Sequence, residues 1–407
     1  MIPISYELNE GDISENQEEW SNRSKRDFTG GFAPNGGARS DIEKSGGVAE
    51  GHDAGFLLYC GERPKGARSD IEGSTPTGGV NGVSHETHCL PTSTLVKEFG
   101  LKKIPITKPI LKWVGGKTQI IDNIIAEFPV EMNNYHEIFL GGGSVLFAVL
   151  SYIKRGIIKI HGKVYAYDWN DPLIHVYKNI QSRHHELYHT LQTIITEFNE
   201  CGNGSEINRL PANIEEAKQM KENYYYWIRN RYNELSVENK KDILGSAMFI
   251  FLNKTCFRGL FRTGPRGFNV PYGHYKSPEI INKDHLEEIH ELIQDVIFDR
   301  CDFSISLKKV ESTDFVYLDP PYAPEKSTSF VKYNENGFTI DDHKKLFEQV
   351  HILTNINKKV FMNNADVNLV RENFTSRTYN ITSIICRRAI NSKNPESNTR
   401  ELIIKNY

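Results

Sequence analysis

No run in this 407-residue chain approaches the ~18 consecutive apolar residues that a membrane-crossing helix needs. No basic stretch followed by an apolar one opens it, so no secretory signal is read and a cytoplasmic location is expected. The six cysteines, Cys60, Cys89, Cys201, Cys256, Cys301 and Cys386, form no C-x-x-C pair. That argues against a zinc site and a disulfide framework, and it fits a reducing compartment. Gly115-Gly116-Lys117-Thr118 lacks the glycine that a phosphate loop requires five positions before Gly116, where Leu111 stands. A nucleotide triphosphatase is thereby excluded. His185 and His189 have helical i, i+4 spacing but no evident Cys or carboxylate partner, so they read as a solvated helix face and no metal is expected.

Net charge is small overall and unevenly spread. The formal net charge is -3, yet residues 1–100 carry a net -7 and the remainder a net +4. The main body tolerates a polyanion better than the leader does. Residues 1–100 also hold 16 of the 31 glycines. Gly37-Ala38-Arg39-Ser40-Asp41-Ile42-Glu43 recurs as Gly66-Ala67-Arg68-Ser69-Asp70-Ile71-Glu72, 29 positions on. Two copies cannot bury a continuous core, so residues 1–103 read as a disordered low-complexity leader.

From about Ile104 the pattern becomes that of an α/β domain with a mostly parallel sheet. Strands are predicted at Tyr135–Phe139, Val164–Tyr167, Phe315–Leu318, Lys359–Asn363 and Glu401–Lys405, and helices at Ile120–Phe128 and Ser144–Ile153. Residues 184–276 are helix-like, basic and aromatic around Tyr224, Tyr225, Tyr226, Trp227, Arg229, Arg231 and Tyr232. They read as an inserted helical domain between a half at 104–183 and a half at 277–407.

Strand, then Leu140-Gly141-Gly142-Gly143-Ser144, then helix is the order in which a nucleotide-like cofactor meets the first strand-to-helix turn. Glycine admits close approach and positive φ there. Asp168 ends the next strand, where a carboxylate accepts from ribose hydroxyls. Its plainer role is a helix cap, for which Asp171 is better placed.

Asp319-Pro320-Pro321-Tyr322 ends the apolar strand Phe315–Leu318, at the carboxyl edge of the sheet. The prolines fix φ and remove backbone donors. Methylation of an exocyclic amine asks for this arrangement. The Asp319 carboxylate and the Pro320 carbonyl accept the two N–H groups, which frees the nitrogen lone pair for attack on a sulfonium methyl. Tyr322 offers a stacking face to a base turned out of a duplex. The bland alternative is a strand that ends in a rigid turn.

With these segments in view, residues 108–407 resemble the Dam-type DNA adenine-N6 methyltransferases. Pro109-Ile110-Leu111-Lys112-Trp113-Val114-Gly115-Gly116-Lys117 looks like their first motif. Glu137-Ile138-Phe139-Leu140-Gly141-Gly142-Gly143-Ser144-Val145 looks like their Gly-rich motif, with Ile138 in place of the usual Pro. Asp168-Trp169-Asn170-Asp171 is similar to their acidic motif. Leu252–Arg262 resembles the DNA-recognition hairpin, and Gly267–Lys276 follows as it does in the family.

The resemblance implies a Rossmann-like class I methyltransferase fold with an inserted target-recognition domain. It implies S-adenosylmethionine as cofactor, bound by Trp113, Lys117, Glu137, Phe139, Gly141, Gly143, Asp168 and Asp319. It makes Asp319, Pro320, Pro321 and Tyr322 catalytic. It places Lys112, Phe257, Arg258, Leu260, Arg262, Arg387 and Arg388 on double-stranded DNA, with Arg400 near the last two. Arg258 stands where many GATC-specific relatives carry Asn, which favours a CATG-like site; its plainer role is a phosphate contact. A monomer or weak dimer is expected, with room for a cognate restriction endonuclease. Rival readings are cytosine N4, RNA adenine or protein glutamine methylation, or a dead DNA-binding relative. Cytosine enzymes of this group more often carry Ser, and glutamine enzymes Asn, in place of Asp319.

Overall fold

The computed structural model describes residues 104–325, 337–387 and 398–407. The leader read as residues 1–103 lies outside them. Seven strands form the central sheet: β1 Tyr135–Glu137, β2 Val164–Asp168, β3 Val296–Arg300, β4 Phe315–Leu318, β5 Lys359–Ala365, β6 Asn380–Arg387 and β7 Asn398–Lys405. Their order is β6-β7-β5-β4-β1-β2-β3. β1 to β5 are parallel, and β7 runs antiparallel to both β5 and β6.

The strand residues explain why the sheet is covered on both faces. β4 is apolar and buried at every position. Phe315 and Tyr317 join one core, while Val316 and Leu318 join the other. Successive side chains of a strand point to opposite faces, so an unbroken apolar run marks a strand buried on both.

Eight helices matter here: α1 Ile121–Ala126, α2 Ser144–Lys154, α3 Asp171–Asn199, α4 Lys221–Glu234, α5 Ile243–Thr255, α6 Lys283–Leu292, α7 Ile340–Asn355 and α8 Asn368–Asn373. The first core gathers residues from α1 to α6. The second gathers Leu346, Phe347, Val350 and Leu353 of α7 with Val370 of α8. A reciprocal cap between Thr339 and Asp342 starts α7, a device worth about 1 kcal/mol.

α3 corrects the expected cap. Asn170, not Asp171, is the N-cap, and its side chain accepts from the Leu173 amide at 3.1 Å. Asp171 is already helical and pairs with His175 and Lys241. The same helix passes through residue 184 without a loop, bending at Arg183, whose φ of -141° is not helical.

The aromatic cluster serves packing. Tyr224, Tyr225, Tyr226 and Tyr232 are all buried. Tyr224 donates to Glu197 at 2.6 Å and Tyr225 to the Val270 carbonyl at 2.8 Å, so these two buried hydroxyls have their partners. In sequence the cluster marked a basic helical layer; its rings form that layer's interior.

Candidate active site

The strand order turns back between β1 and β4. In an open parallel sheet the connections leave such neighbours in opposite directions and open a crevice at their carboxyl ends. Glu137 ends β1 and Asp319 follows β4, so both stand at that crevice. A cleft of about 1380 Å³ opens there.

The glycine turn forms its floor. Gly141 and Gly143 have φ of +50° and +72°, and Gly143 is the N-cap of α2. A Cβ on Gly141 would stand 2.8 Å from the Trp113 ring. The indole therefore lies directly over the turn, and it stacks on Phe261 with a 5.8 Å centroid separation. Asp168 closes the turn from β2. Its Oδ2 accepts from the Gly141 amide at 2.9 Å and its Oδ1 from the Asn170 amide at 2.8 Å. Burial raises its carboxyl above the usual range, and these backbone donors pull it back.

Gly141→Ala is expected to lower stability by about 1–3 kcal/mol, through the positive φ and the collision with Trp113. Urea unfolding measures this, and an unchanged midpoint would count against so tight a turn.

Asp319 is the centre of the electrostatics. Its Oδ2 pairs with Lys117 Nζ at 2.7 Å, and Lys117 is only 4% exposed. The Lys117 amide donates to the Ser144 hydroxyl at 3.1 Å, so α2 holds the lysine's own backbone. Lys117 Nζ also donates to the Gly115 carbonyl at 2.6 Å and sits 4.9 Å from the centre of the Tyr322 ring. The other carboxylate oxygen, Oδ1, is buried and accepts no hydrogen bond. Burial pushes the Asp319 carboxyl up to about 6, Lys117 restrains it, and Glu401 adds to the rise. Nearby Glu137 is buried and accepts from the Tyr135 hydroxyl at 2.8 Å. Burial drives its carboxyl well above the usual range, against the pull of that hydrogen bond and with a push from Asp319.

Trp113, Lys117, Glu137, Phe139, Gly141, Asp168 and Asp319 to Tyr322 all line this one cleft. Gly143 lies behind the turn, buried against Tyr177 and Phe147. Of the residues expected on DNA, Lys112 and Arg258 reach the cleft, whereas Phe257, Leu260 and Arg262 lie outside its lining. Arg388 and the side chain of Arg387 lie outside the described residues; Arg387 ends β6 and Arg400 is exposed on β7.

The segment read as a hairpin, Leu252–Arg262, is one only in part: Cys256 bridges antiparallel to Tyr272 and the Asn269 amide donates to the Arg262 carbonyl at 3.1 Å, but its start is helical. It begins as the last turn of α5 and continues as a tight turn at Phe257–Gly259. The two-stranded ribbon comes just after it, Thr263–Gly264 against Gly267–Phe268. Apolar packing all round α5 keeps the first part helical. Asn253 ties this turn to the first motif: its side chain accepts from the Lys112 amide at 2.9 Å and donates to the Lys112 carbonyl at 2.7 Å. Arg258 has φ +58°, a left-handed backbone in which Asn is the commoner residue. The exchange of Asn for Arg at this turn thus bears on the backbone as well as on a base, and it does not by itself set a target.

Sequence reasoning missed several lining residues. Phe303 and Phe338 form an aromatic wall with Phe139 at centroid separations of 5.6–6.0 Å. Asp302 caps the short helix Phe303–Ser306 beside them, a D-x-S pattern visible in the sequence. Glu401 reaches in from β7 with no local signal to announce it. Outside the cleft, His184 and His185 of α3 converge with Glu287 of α6. That supplies a carboxylate the sequence did not suggest, more than a hundred residues from the histidines, while His189 takes no part.

A seven-stranded sheet of this order, with an acidic crevice and a glycine turn at the point of reversal, defines the class I methyltransferases that use S-adenosylmethionine. The comparisons narrow the class. A family model described as D12 class N6 adenine-specific DNA methyltransferase matches residues 113–390. A type II methyltransferase of Methanocaldococcus jannaschii, M.MjaIII, is 34% identical over 74% of this chain and 99% of its own length. A type II methyltransferase of Lactococcus lactis, M1.LlaDCHI, is 27% identical over 74% and 95%. The DNA adenine methylase of Escherichia coli K12 is 27% identical over 70% and 90%. The chain belongs to the D12 class of N6 adenine-specific DNA methyltransferases. It is a site-specific enzyme that methylates adenine N6 in DNA. Among the described residues no helix is long and apolar enough to cross a membrane.

Proposed function

We propose that the cleft binds S-adenosylmethionine over the glycine turn and presents the target adenine to Asp319. The observation that carries this is Asp319 Oδ1, a buried acceptor with no donor, beside an Oδ2 fixed by Lys117. A buried acceptor without a donor costs about 1–3 kcal/mol, so its place at the edge of a crevice points to a donor brought by the substrate. The cofactor fits the residues present. Gly141 and Gly142 let Trp113 close over the turn at the edge of the cleft, Asp168 stands where ribose hydroxyls are held, and Phe139, Phe303 and Phe338 offer an apolar aromatic wall. When bound, S-adenosylmethionine would supply the electrophilic methyl group, its sulfur keeping the electron pair of the broken S–C bond and leaving as the neutral thioether of S-adenosylhomocysteine.

The chain's own residues then do the following. Asp319 Oδ1 accepts one N6 hydrogen, and the Pro320 carbonyl accepts the other. With both N–H groups held, the amine lone pair leaves the ring plane and becomes nucleophilic. Tyr322 supports the ring from one face. Bond formation makes the nitrogen cationic, and its proton passes to Asp319, whose carboxyl titrates near the range where it can take one up and release it. Lys112 and Arg258, at the lip of the same cleft, engage the DNA, with Phe257, Leu260 and Arg262 beside them on the turn. Residues 184–276 are the target-recognition part, joined to the cofactor half through α3.

The test is transfer of tritiated methyl from S-adenosylmethionine to duplex DNA, followed by nucleoside digestion and by sequencing of the modified bases. N6-methyladenine in one short context is expected. N4-methylcytosine as the product, or labelled RNA with unlabelled DNA, would overturn the assignment of Asp319 to an adenine.

A further inference from the structure

The loop that carries Tyr322 is pinned at two points, and only one is backbone. The Ala323 amide donates to the Asn364 side chain of β5 at 3.0 Å. The Tyr322 hydroxyl donates to Glu401 Oε2 of β7 at 2.7 Å. Glu401 sits on a strand with neighbours on both sides, opposite Ala365 of β5 and Ile384 of β6, so its own backbone is fixed by the sheet. Burial, with Glu401 beside it, pushes the Cys386 thiol up to about 12, so a protonated thiol flanks the carboxylate.

A tyrosine ring on a loop has two soft torsions, and an anchor on its hydroxyl removes much of that freedom. The ring face set in this way lies 4.9 Å from Lys117 Nζ, and Lys117 in turn holds Asp319. The tilt of the stacking surface and the position of the acceptor are thereby referred to one point on β7.

We propose that Glu401 is a positioning residue for the methylation: it fixes the ring plane of Tyr322, and through it the angle at which the target base meets Asp319. This rests on the placement of the base against Tyr322 given above. Glu401 touches neither base nor cofactor in this role. Its distance in sequence from Tyr322 explains why no local motif announces it.

The test combines Tyr322→Phe, Glu401→Ala, Glu401→Gln and the double variant Tyr322→Phe/Glu401→Ala. Each is assayed for kcat, for KM toward S-adenosylmethionine and DNA, and for the fluorescence of 2-aminopurine placed at the target adenine. Tyr322→Phe and Glu401→Ala are each expected to lower kcat about tenfold, as small misplacements of reacting groups do, with KM for S-adenosylmethionine unchanged. Both should alter the fluorescence of the extruded base in the same way. Measured well above pH 6, where Asp319 is ionised with or without Glu401, the double variant should be no worse than the worse single one, because the contact between Tyr322 and Glu401 is already lost in each. Glu401→Gln keeps an acceptor oxygen and should regain most of the lost turnover.

Losses that multiply in the double variant would overturn the proposal, and so would full turnover in Tyr322→Phe. Should Glu401→Ala fail to fold, Tyr322→Phe and Glu401→Gln still decide, because neither disturbs the strand. Failure of the underlying placement has its own signature: Tyr322→Ala would leave turnover and fluorescence unchanged.

Discussion

Asp319→Ala is expected to lower methyl transfer to DNA by about 10³-fold or more, the loss typical when a pre-placed polar group facing developing charge is removed. S-adenosylmethionine should still bind, less tightly, because the glycine turn and Asp168 are untouched. The variant also leaves Lys117 without its carboxylate at 4% exposure. An uncompensated buried cation is destabilising in its own right, so the variant must be shown to be folded by its thermal transition. Asp319→Asn is the cleaner probe: it keeps the side chain's shape and a carbonyl oxygen toward Lys117, while an NH2 group replaces the acceptor Oδ1 and the charge is lost. Single-turnover rates near those of the unmodified protein in both variants would rule Asp319 out as the amine acceptor.

Lys117→Met should move the acid limb of the pH–rate profile upward and leave the plateau lower. The reaction needs ionised Asp319. In the folded chain that carboxyl is pushed up to about 6 by burial, with Lys117 holding it down and Glu401 driving it up. The rate should therefore rise with pH through about 6 in the unmodified protein. Without the lysine the restraint is gone while burial and Glu401 remain, so ionisation moves to higher pH. The raised folded-state value has a second consequence. The folded chain binds this proton more tightly than the unfolded one, so the group contributes stability at acid pH that is lost as pH rises from the ordinary Asp range through about 6. Rates across the pH range, measured at saturating S-adenosylmethionine, check the first point. An acid limb that stays in place would show that Lys117 does not tune Asp319.

The parts of this site that a reader of the sequence could find are those written contiguously. Asp319 to Tyr322 and the triple glycine are short runs whose residue types match their backbone: two positive φ values at Gly141 and Gly143, and a strand end before Asp319. β4 was visible because all four of its residues are apolar, which put Asp319 at the carboxyl edge of the sheet; the reversal of strand order beside it was not legible. What escaped was assembled by tertiary pairing. Glu401 reaches the cleft only because β7 inserts antiparallel between β5 and β6, which no spacing near Glu401 encodes. Phe303, on a short helix, and Phe338, on a loop, face Phe139 from more than a hundred residues away. Two readings failed locally. Asn170 outcompeted Asp171 as a cap because the helix starts one residue earlier than the proline suggested. Leu252–Arg262 begins as helix because α5 is buried on every side, and burial on every side leaves no alternation to read.

One more consequence follows from α3. Its first turn is capped by Asn170, whose amide rests on Asp168 at the crevice, and its last turns lie under Tyr224 in the helical layer. A continuous helix acts as a strut, transmitting tilt and twist along its length. Rearrangement in the helical layer, which we propose reads DNA, is thus carried toward the carboxylate beside the glycine turn, except for what the bend at Arg183 absorbs. Arg183 is itself tethered to Glu186 and Asp242. The bend at Arg183 thus joins the hydrogen bonds from Asn253 to Lys112 and the stack of Trp113 on Phe261 as a link between the helical layer and the half that carries the glycine turn.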